Sequence, residues 1–410
     1  MRVLLVGHAC SPIRGSEHAI TWGWAWHLAK FHQVWLIAHP QCRDDVEEFL
    51  GQHPNHNLRC IWVTPAHQLD PWNHTRGDQG LWFHYLLWQR AVFMEASRIH
   101  RLHRFDVAHQ VSLGTVSAPP LLWQLPVPFI WGPVGGGQTA PPAFKRYFGS
   151  TWHKEVVRNF RTWLLPFLPA LRRAVHRSAA ILAANKETMH LLEKAGARRV
   201  HLFPDTGSLP ELIVGSPPKP GCRSEFTLLW VGRLEHRKAL PLALEALAQV
   251  RDIPVRLLVA GDGPLCAKWK RLAGALCVED RVQFLGQVSW SRMPELYRQA
   301  DAFLFTSLRD TFGSQVLEAM SQSLPLITLD HQGVGSLIPP EASVKVPVTT
   351  PAETVAALAK GIRFLAQSPD VCYRMGESAV AYAKNQTWEL RVKKMNCFYD
   401  QYVTKHNNPA

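Results

Sequence analysis

Two carboxylates and two cations stand in this chain at spacings that suit a phosphorylated ligand. In RDTFGSQVLEAMSQSLPLITLD (309–330), Asp310 closes a loop after an apolar strand, Phe312 and Gly313 follow, and Glu318 lies within the next helix. The amino end of that helix, from Gly313 and Ser314 onward, offers backbone N–H groups and a positive dipole end, which favour phosphate. Gly313 would let the backbone approach a ligand closely. Carboxylates eight positions apart, one ahead of the helix and one about a turn inside it, can hold hydroxyls on two parts of one ligand. Taken alone, the same residues would also serve as an N-capping acid and a solvent-facing glutamate.

The cations come from LLWVGRLEHRKAL (228–240), where a strand ends at Gly232 and Arg233 and Lys238 follow. Beside a strand-to-helix turn, two such charges can neutralise a diphosphate leaving group; otherwise they are solvated surface cations. Three further features lie earlier in the chain. The loop GHACSPIRGSEHA (7–19) carries Gly15 and Ser16, with Glu17 and His18 beyond them, and as a bare pattern it is no more than a strand-to-helix turn. DVAHQV (106–111) presents His109 near a strand end, where an open α/β sheet places ligands, so His109 is either an active-site or a structural histidine. Gly135, Gly136 and Gly137 follow another strand end and read as either a flexible loop lining a site or a tight structural turn.

Elements that would position these groups alternate in type. Apolar strands are expected at 2–7, 34–40, 60–64, 106–111, 128–132 and 179–185, the last closing the first half. A second series runs 226–232, 255–261, 282–286, 302–307 and 325–330, with helices between and helical stretches at 352–366 and 369–403. Strands alternating with helical patterns predict parallel βαβ units. The Pro/Gly-rich segment 208–225 reads as the linker.

A chain of 410 residues, 47% hydrophobic and 19% charged, exceeds one core and predicts two domains. No apolar run approaches the length of a spanning helix, and the roughly five apolar residues before Gly7 read as a buried strand and not as a secretory h-region. The eight cysteines are scattered without a metal-binding spacing, which fits a reducing cytoplasm. Of the net +13, residues 1–200 hold 22 Lys/Arg against 12 Asp/Glu, so the first half is a basic body suited to an anionic membrane, a phosphorylated acceptor or nucleic acid. No nucleic-acid-binding signature accompanies that charge, and no nucleic-acid partner is expected. RNFRTWLLPFLPALRRAVHRSA (158–179) sets Trp163, Leu164, Phe167, Leu168 and Leu171 among arginines, as a membrane interface would, although Pro166 and Pro169 interrupt the helix and ordinary packing is the alternative.

Together these motifs resemble glycosyltransferase family 4 (group 1), retaining enzymes of the GT-B fold, strongly over 226–340 and loosely over 1–205. The resemblance rests on Asp310, Phe312, Gly313, Glu318, Ala319, Met320 and Pro325, supported by Arg233, Lys238, VAGDGP (259–264) and FLGQV (284–288). It departs from the family at Asp310, where glutamate is usual, at Ser323, where glycine is common, and at Val111, where a second histidine often stands. The fold it implies is α/β, with two Rossmann-like domains facing across a cleft. Residues 1–205 would form the acceptor domain and 206–385 the nucleotide-sugar donor-binding domain, a helix at about 386–405 packing back on the first.

By the same resemblance, Glu318 binds the ribose hydroxyls, Asp310 contacts the transferred sugar, and Arg233 and Lys238 stabilise the departing diphosphate. Gly286 and Val288 would approach the base, Gly15 and Ser16 the donor phosphates, with Phe312, Gly313 and Ser314 completing the donor site. His109 would face the reacting sugar and Gly135–Gly137 the acceptor. The co-substrate would be a UDP- or GDP-sugar, with no cofactor and no metal, since no Asp-x-Asp motif is present. The acceptor would be a glycan or a lipid-linked molecule, as in cell-surface polysaccharide or glycolipid synthesis, at the cytoplasmic side and peripheral on the inner face of the plasma membrane. Two other functions share the fold: a sugar-nucleotide epimerase and a non-catalytic sugar-nucleotide-binding subunit.

Overall fold

The computed structural model describes residues 1–66, 70, 72, 80–214 and 225–407. Most of the expected linker, and Cys222 within it, lie outside the described residues. The chain divides into two compact units: Met1–Gly137, Thr162–Gly207 and Trp388–Ala410 make the first, and Gln138–Arg161 with Ser208–Thr387 the second. The sequence reading puts all of 1–205 in one domain, whereas Gln138–Arg161 belongs to the second unit.

In the first unit the strands are β1 (Arg2–Val6), β2 (Gln33–Ala38), β3 (Leu58–Trp62), β4 (Val107–Gln110), β5 (Phe129–Val134), β6 (Ala180–Ala183) and β7 (Val200–Leu202). They form one parallel sheet in the order β3-β2-β1-β4-β5-β6-β7. β7 follows β6, so the strand at 179–185 is not the last of this half. The inner strands are buried along nearly their whole length, as helices on each side of a parallel sheet require, and apart from His109 and Gln110 of β4 they are largely apolar. Trp88, Phe129, Trp131 and Leu171 sit in the core on one face.

The second unit holds β8 (Phe226–Val231), β9 (Val255–Ala260), β10 (Val282–Gly286), β11 (Ala302–Phe305), β12 (Leu326–Leu329) and β13 (Ser343–Val346). Their order is β10-β9-β8-β11-β12-β13, again parallel. β13 is absent from the expected strands: SVKV is short and carries a lysine, so it shows no apolar run. The strand order reverses between β8 and β11, and between β1 and β4 in the first unit. Such switch points leave a crevice at the carboxyl ends of the two central strands, where doubly wound sheets bind ligands. Ala140, Phe144, Tyr147 and Phe148, from the segment that follows β5, pack with Leu228, Leu257 and Leu304 in the core of this second unit.

The helical stretch expected over 369–403 is two helices, Pro369–Lys384 and Trp388–Asn407. The second belongs to the first unit, where Trp388 meets Trp24 of the helix Glu17–Leu28 edge to face at 5.4 Å.

Candidate active site

At the switch point of the second unit, the turn after β8 and the loop after β11 bring together Lys238 and Asp310. The turn runs from Gly232 through the short helical turn His236–Lys238, which places Lys238 inward, 7% exposed, while Arg233 is exposed. The Lys238 ammonium pairs with Asp310 Oδ2 and stands 5.7 Å from the centre of the Phe305 ring. Asp310 Oδ2 also accepts from Ser307 Oγ at 3.2 Å, and Oδ1 from the Thr311 N–H at 3.1 Å. Burial raises the Asp310 pKa, but Lys238 and then Arg237 oppose it, and the net result is a carboxyl below its usual range.

Two residues of this site are not singled out by the sequence. Arg237 Nη1 lies 3.5 Å from Asp310 Oδ1, so it, and not only Lys238, neutralises that carboxylate. Gln332 is buried; its Oε1 accepts from the Asp310 N–H at 2.7 Å and its Nε2 donates to the Thr139 carbonyl at 2.9 Å. The HRK run signals that charge is present but not which side chain turns inward. A glutamine 22 residues downstream gives no signal.

Glu318 lies in the helix Ser314–Ser321, part-buried, with Oε2 accepting from the Tyr297 hydroxyl at 2.9 Å. Burial pushes its pKa up, only partly offset by hydrogen bonds from Tyr297, Ser314 and Trp290. Gly313 precedes the helix at φ 95°, a left-handed position costly for other residues. Phe312 is fully buried in the core, so its ring anchors the loop and only its backbone can reach a ligand. Gly286 ends β10, and Val288 packs on the core beyond it. Ser323, where the family pattern favours glycine, holds φ 65°, the backbone reason a glycine suits that position.

In the first unit, Gly15 and Ser16 precede the helix Glu17–Leu28, and Ser16 takes φ 59° with no side-chain cap bond. His109 is 0% exposed and both ring nitrogens are occupied: Nε2 donates to the Gly132 carbonyl at 2.6 Å and Nδ1 accepts from the Tyr399 hydroxyl at 2.7 Å. Burial lowers its pKa to about 4, so it is neutral. His109 is therefore a packing group that ties β4 and β5 to the last helix, and its expected catalytic place is corrected. Gly135 bridges to Thr115, and a Cβ on Gly137 would come within 2.6 Å of Thr188 Cα. The Gly137 N–H donates to Thr188 Oγ1 at 3.1 Å, so this glycine serves close packing against the helix Lys186–Lys194.

The polar cluster at the β1/β4 switch point is instead His8, His39, His84 and Asp70. His8 and His84 meet through their Nε2 atoms at 2.9 Å, His84 Nδ1 lies 2.7 Å from Asp70 Oδ2, and His39 stacks on His8 at 5.1 Å. With His8 and His84 76 positions apart, no spacing in the sequence reveals it.

The basic-apolar stretch forms the helices Trp152–Leu164 and Pro169–Arg177 with a tight turn between them. Phe160, Trp163, Phe167 and Leu168 are exposed, Trp163 at 64%. Leu171, expected on that face, is buried in the core.

Residues 219–382 match the family profile described as glycosyl transferases group 1. Over that segment the chain matches the group 1 family. The group 1 signature read from Asp310 to Pro325 lies within the matched segment. The GPI3 subunit of phosphatidylinositol N-acetylglucosaminyltransferase from Saccharomyces cerevisiae is 28% identical over 180 residues, 41% of this chain and 40% of that protein. Alpha-D-kanosaminyltransferase from Streptomyces kanamyceticus is 30% identical over 224 residues, 51% of this chain and 57% of that protein. The chain thus spans about two fifths to three fifths of these relatives' lengths. HepE from Anabaena, solved in complex with UDP, superposes with a TM-score of 0.66 at 17% identity, covering 98% of this chain and all of that one. That likeness shows the fold, which is GT-B. Among the described residues, no helix is long and apolar enough to cross a membrane.

Proposed function

We propose that this group 1 protein is a retaining glycosyltransferase that moves a sugar from a nucleotide-sugar to a glycan or lipid-linked acceptor. The observation that carries the reading is the Lys238–Asp310 pair at the carboxyl ends of β8 and β11, with Glu318 on the helix that follows. Lys238, with Arg233 and the N–H groups at the amino end of the helix Ser314–Ser321, offsets charge as the nucleoside diphosphate departs. Glu318 accepts hydroxyls of the ribose, and Asp310, kept ionised by Lys238 and Arg237, holds hydroxyls of the transferred sugar. An acceptor hydroxyl then attacks from the face the diphosphate leaves.

The UDP complex of HepE supports a UDP-sugar donor, with a GDP-sugar as the alternative, and the relatives' names support a glycolipid-type acceptor. The exposed Trp163, Phe167 and Leu168 beside Arg161, Arg172 and Arg173 support peripheral attachment to an anionic cytoplasmic membrane surface. A thermal-shift screen of UDP-, GDP- and ADP-sugars tests the donor assignment. One nucleotide class should raise the melting temperature selectively, and no shift with any of them refutes it.

A further inference from the structure

The amino edge of the sheet in the first unit carries a cavity of about 320 Å³. His176, from the last turn of the helix Pro169–Arg177, and Ser178 beyond it form one wall. Gly196, Arg198 and Arg199, from the turn between the helix Lys186–Lys194 and β7, form the other. All five stand ahead of β6 or β7. Because every strand of this sheet is parallel, they lie at the edge away from the carboxyl ends of β1 and β4. The second unit, which holds Lys238, Asp310 and Glu318, contributes nothing to this lining.

Among the described residues, no acid lines the cavity. Arg198 and Arg199 are exposed, and neither side chain enters a hydrogen bond or an ion pair among the described residues. Glu193, the acid nearest to them in sequence, is exposed and pairs with neither. Arg199 is steadied instead by Tyr402, whose ring centre lies 5.7 Å from the guanidinium carbon. The Arg199 carbonyl accepts from the Ile181 N–H at 2.9 Å, which fixes the backbone of this wall to β6. His176 is held by shape: a Cβ on Gly196 would come within 2.8 Å of its Cε1 and 3.1 Å of its Nε2. Only a residue without a side chain lets the imidazole lie against that turn.

Capping of the neighbouring helices does not account for the arginines. The Gly196 N–H donates to the Glu193 carbonyl at 2.9 Å and the Ala197 N–H to the Leu192 carbonyl at 3.0 Å. Ser178 closes the other helix through its N–H and its hydroxyl, both on the Ala174 carbonyl. Each helix therefore ends on backbone groups or on Ser178, and neither arginine is spent there. Two fixed positive charges and an imidazole around one concave space, with no acid among them, make a local potential that attracts an anion. The planar forks of two arginines suit phosphate oxygens. At about 30 Å³ per water, the cavity has room for about ten waters, more than a bare phosphate fills, so the group that carries the phosphate can enter with it.

We propose that Arg198, Arg199 and His176 form a binding site in the first unit for a phosphate monoester, separate from the proposed donor site. The phosphate belongs either to a soluble phosphorylated metabolite or to a lipid headgroup. Occupancy of this site does not depend on the donor assignment.

The test uses the full chain, Arg198→Gln, which removes a charge but no contact of the fold, and Arg199→Gln. With UDP at saturation to fill the proposed donor site, the probes are glycerol 3-phosphate in titration calorimetry and phosphatidylcholine vesicles in sedimentation. The vesicles carry phosphatidic acid or, at the same total charge, phosphatidylglycerol. Wild type should bind glycerol 3-phosphate or the phosphatidic acid vesicles, and each variant should bind about tenfold or more weakly. UDP affinity should be the same in all three proteins, and Arg198→Gln should melt no lower than the wild type. Arg198-dependent binding of glycerol 3-phosphate indicates a soluble ligand. Arg198-dependent sedimentation with phosphatidic acid alone indicates a lipid headgroup. The site is overturned if neither probe binds through Arg198, if UDP displaces the ester, if phosphatidylglycerol vesicles show the same Arg198 dependence, or if Arg198→Gln melts lower. Ester binding through Arg198 in a chain that binds no nucleoside diphosphate counts against the donor reading alone.

Discussion

Replacing Lys238 with methionine keeps the stem of the side chain and removes its charge, leaving Asp310 with Arg237 at 3.5 Å as its remaining cation. Removing one partner of a buried pair costs about 3–5 kcal/mol. Here the two side chains keep 9% and 17% exposure and Arg237 remains, so about 2–4 kcal/mol is expected. Adding Asp310→Asn removes the stranded carboxylate and should recover about 1–3 kcal/mol of that loss. Because Lys238 and Arg237 hold the native Asp310 pKa below its usual range, the pair stabilises the fold above that range. Its contribution disappears as the pH falls through the depressed native value. The Lys238→Met deficit should therefore be largest at neutral pH and shrink in acid. Turnover behaves differently: loss of one preorganised charge at the leaving group should lower kcat by about 10²–10³, and the double variant should not regain it. Urea unfolding of the four proteins of the cycle, with sugar-nucleotide turnover on each, measures both quantities. A double variant that is less stable by the sum of the two single losses, or near wild-type turnover in Lys238→Met, would refute the reasoning.

Three further outcomes are expected. Glu318 has a raised native pKa, so its ionised form costs stability as the pH rises through that value; Glu318→Gln should melt no lower than the wild type at pH about 8 while binding nucleotide about 10–100-fold more weakly. Lower melting with intact nucleotide affinity would show that Glu318 serves the fold and not the ligand. His109→Ala strands the Tyr399 hydroxyl and the Gly132 carbonyl, and should cost about 2–4 kcal/mol in urea unfolding while leaving turnover per folded molecule within about threefold. A large fall in kcat at unchanged stability would return His109 to the catalytic set. The pair Trp163→Ser and Phe167→Ser should abolish sedimentation with anionic vesicles at low salt without changing the melting temperature, because both side chains are exposed; equal sedimentation of wild type and variant would remove the membrane reading.

The proposed donor side is legible in sequence because its parts are local. A strand end, a turn of known length and a helix start lie within a few residues of one another, so residue spacing alone places Asp310, Gly313 and Glu318 together. The group 1 match covers the same stretch. What sequence does not supply is direction: within HRK, the short helical turn decides that Lys238 faces in and that Arg237 reaches Asp310. In the first half, His109 sits at a strand end, but the side chain at that register points into the core, where Tyr399, 290 residues away, closes on it. The His8–His84–Asp70 cluster is likewise made by the tertiary fold, which brings a strand end, a helix and a loop together, and not by spacing. Strands β7 and β13 escape a sequence reading because each is short and lies at an edge of its sheet, where the apolar pattern weakens.

The passage of Gln138–Arg161 into the second unit has a consequence for how the molecule is made. The chain changes unit after Gly137, Arg161, Gly207 and Thr387, so neither unit is a continuous stretch of synthesis. When Thr387 leaves the ribosome the second unit is complete, and its early segment, with Phe144 and Phe148, has waited for a core made later. The first unit, begun earlier, is finished last, when Trp388 and Tyr399 arrive to cover Trp24 and His109. A gene fragment for residues 208–387 would yield a sheet whose core lacks Phe144 and Phe148. The second unit is thus not a cassette that can be moved between proteins without its early segment.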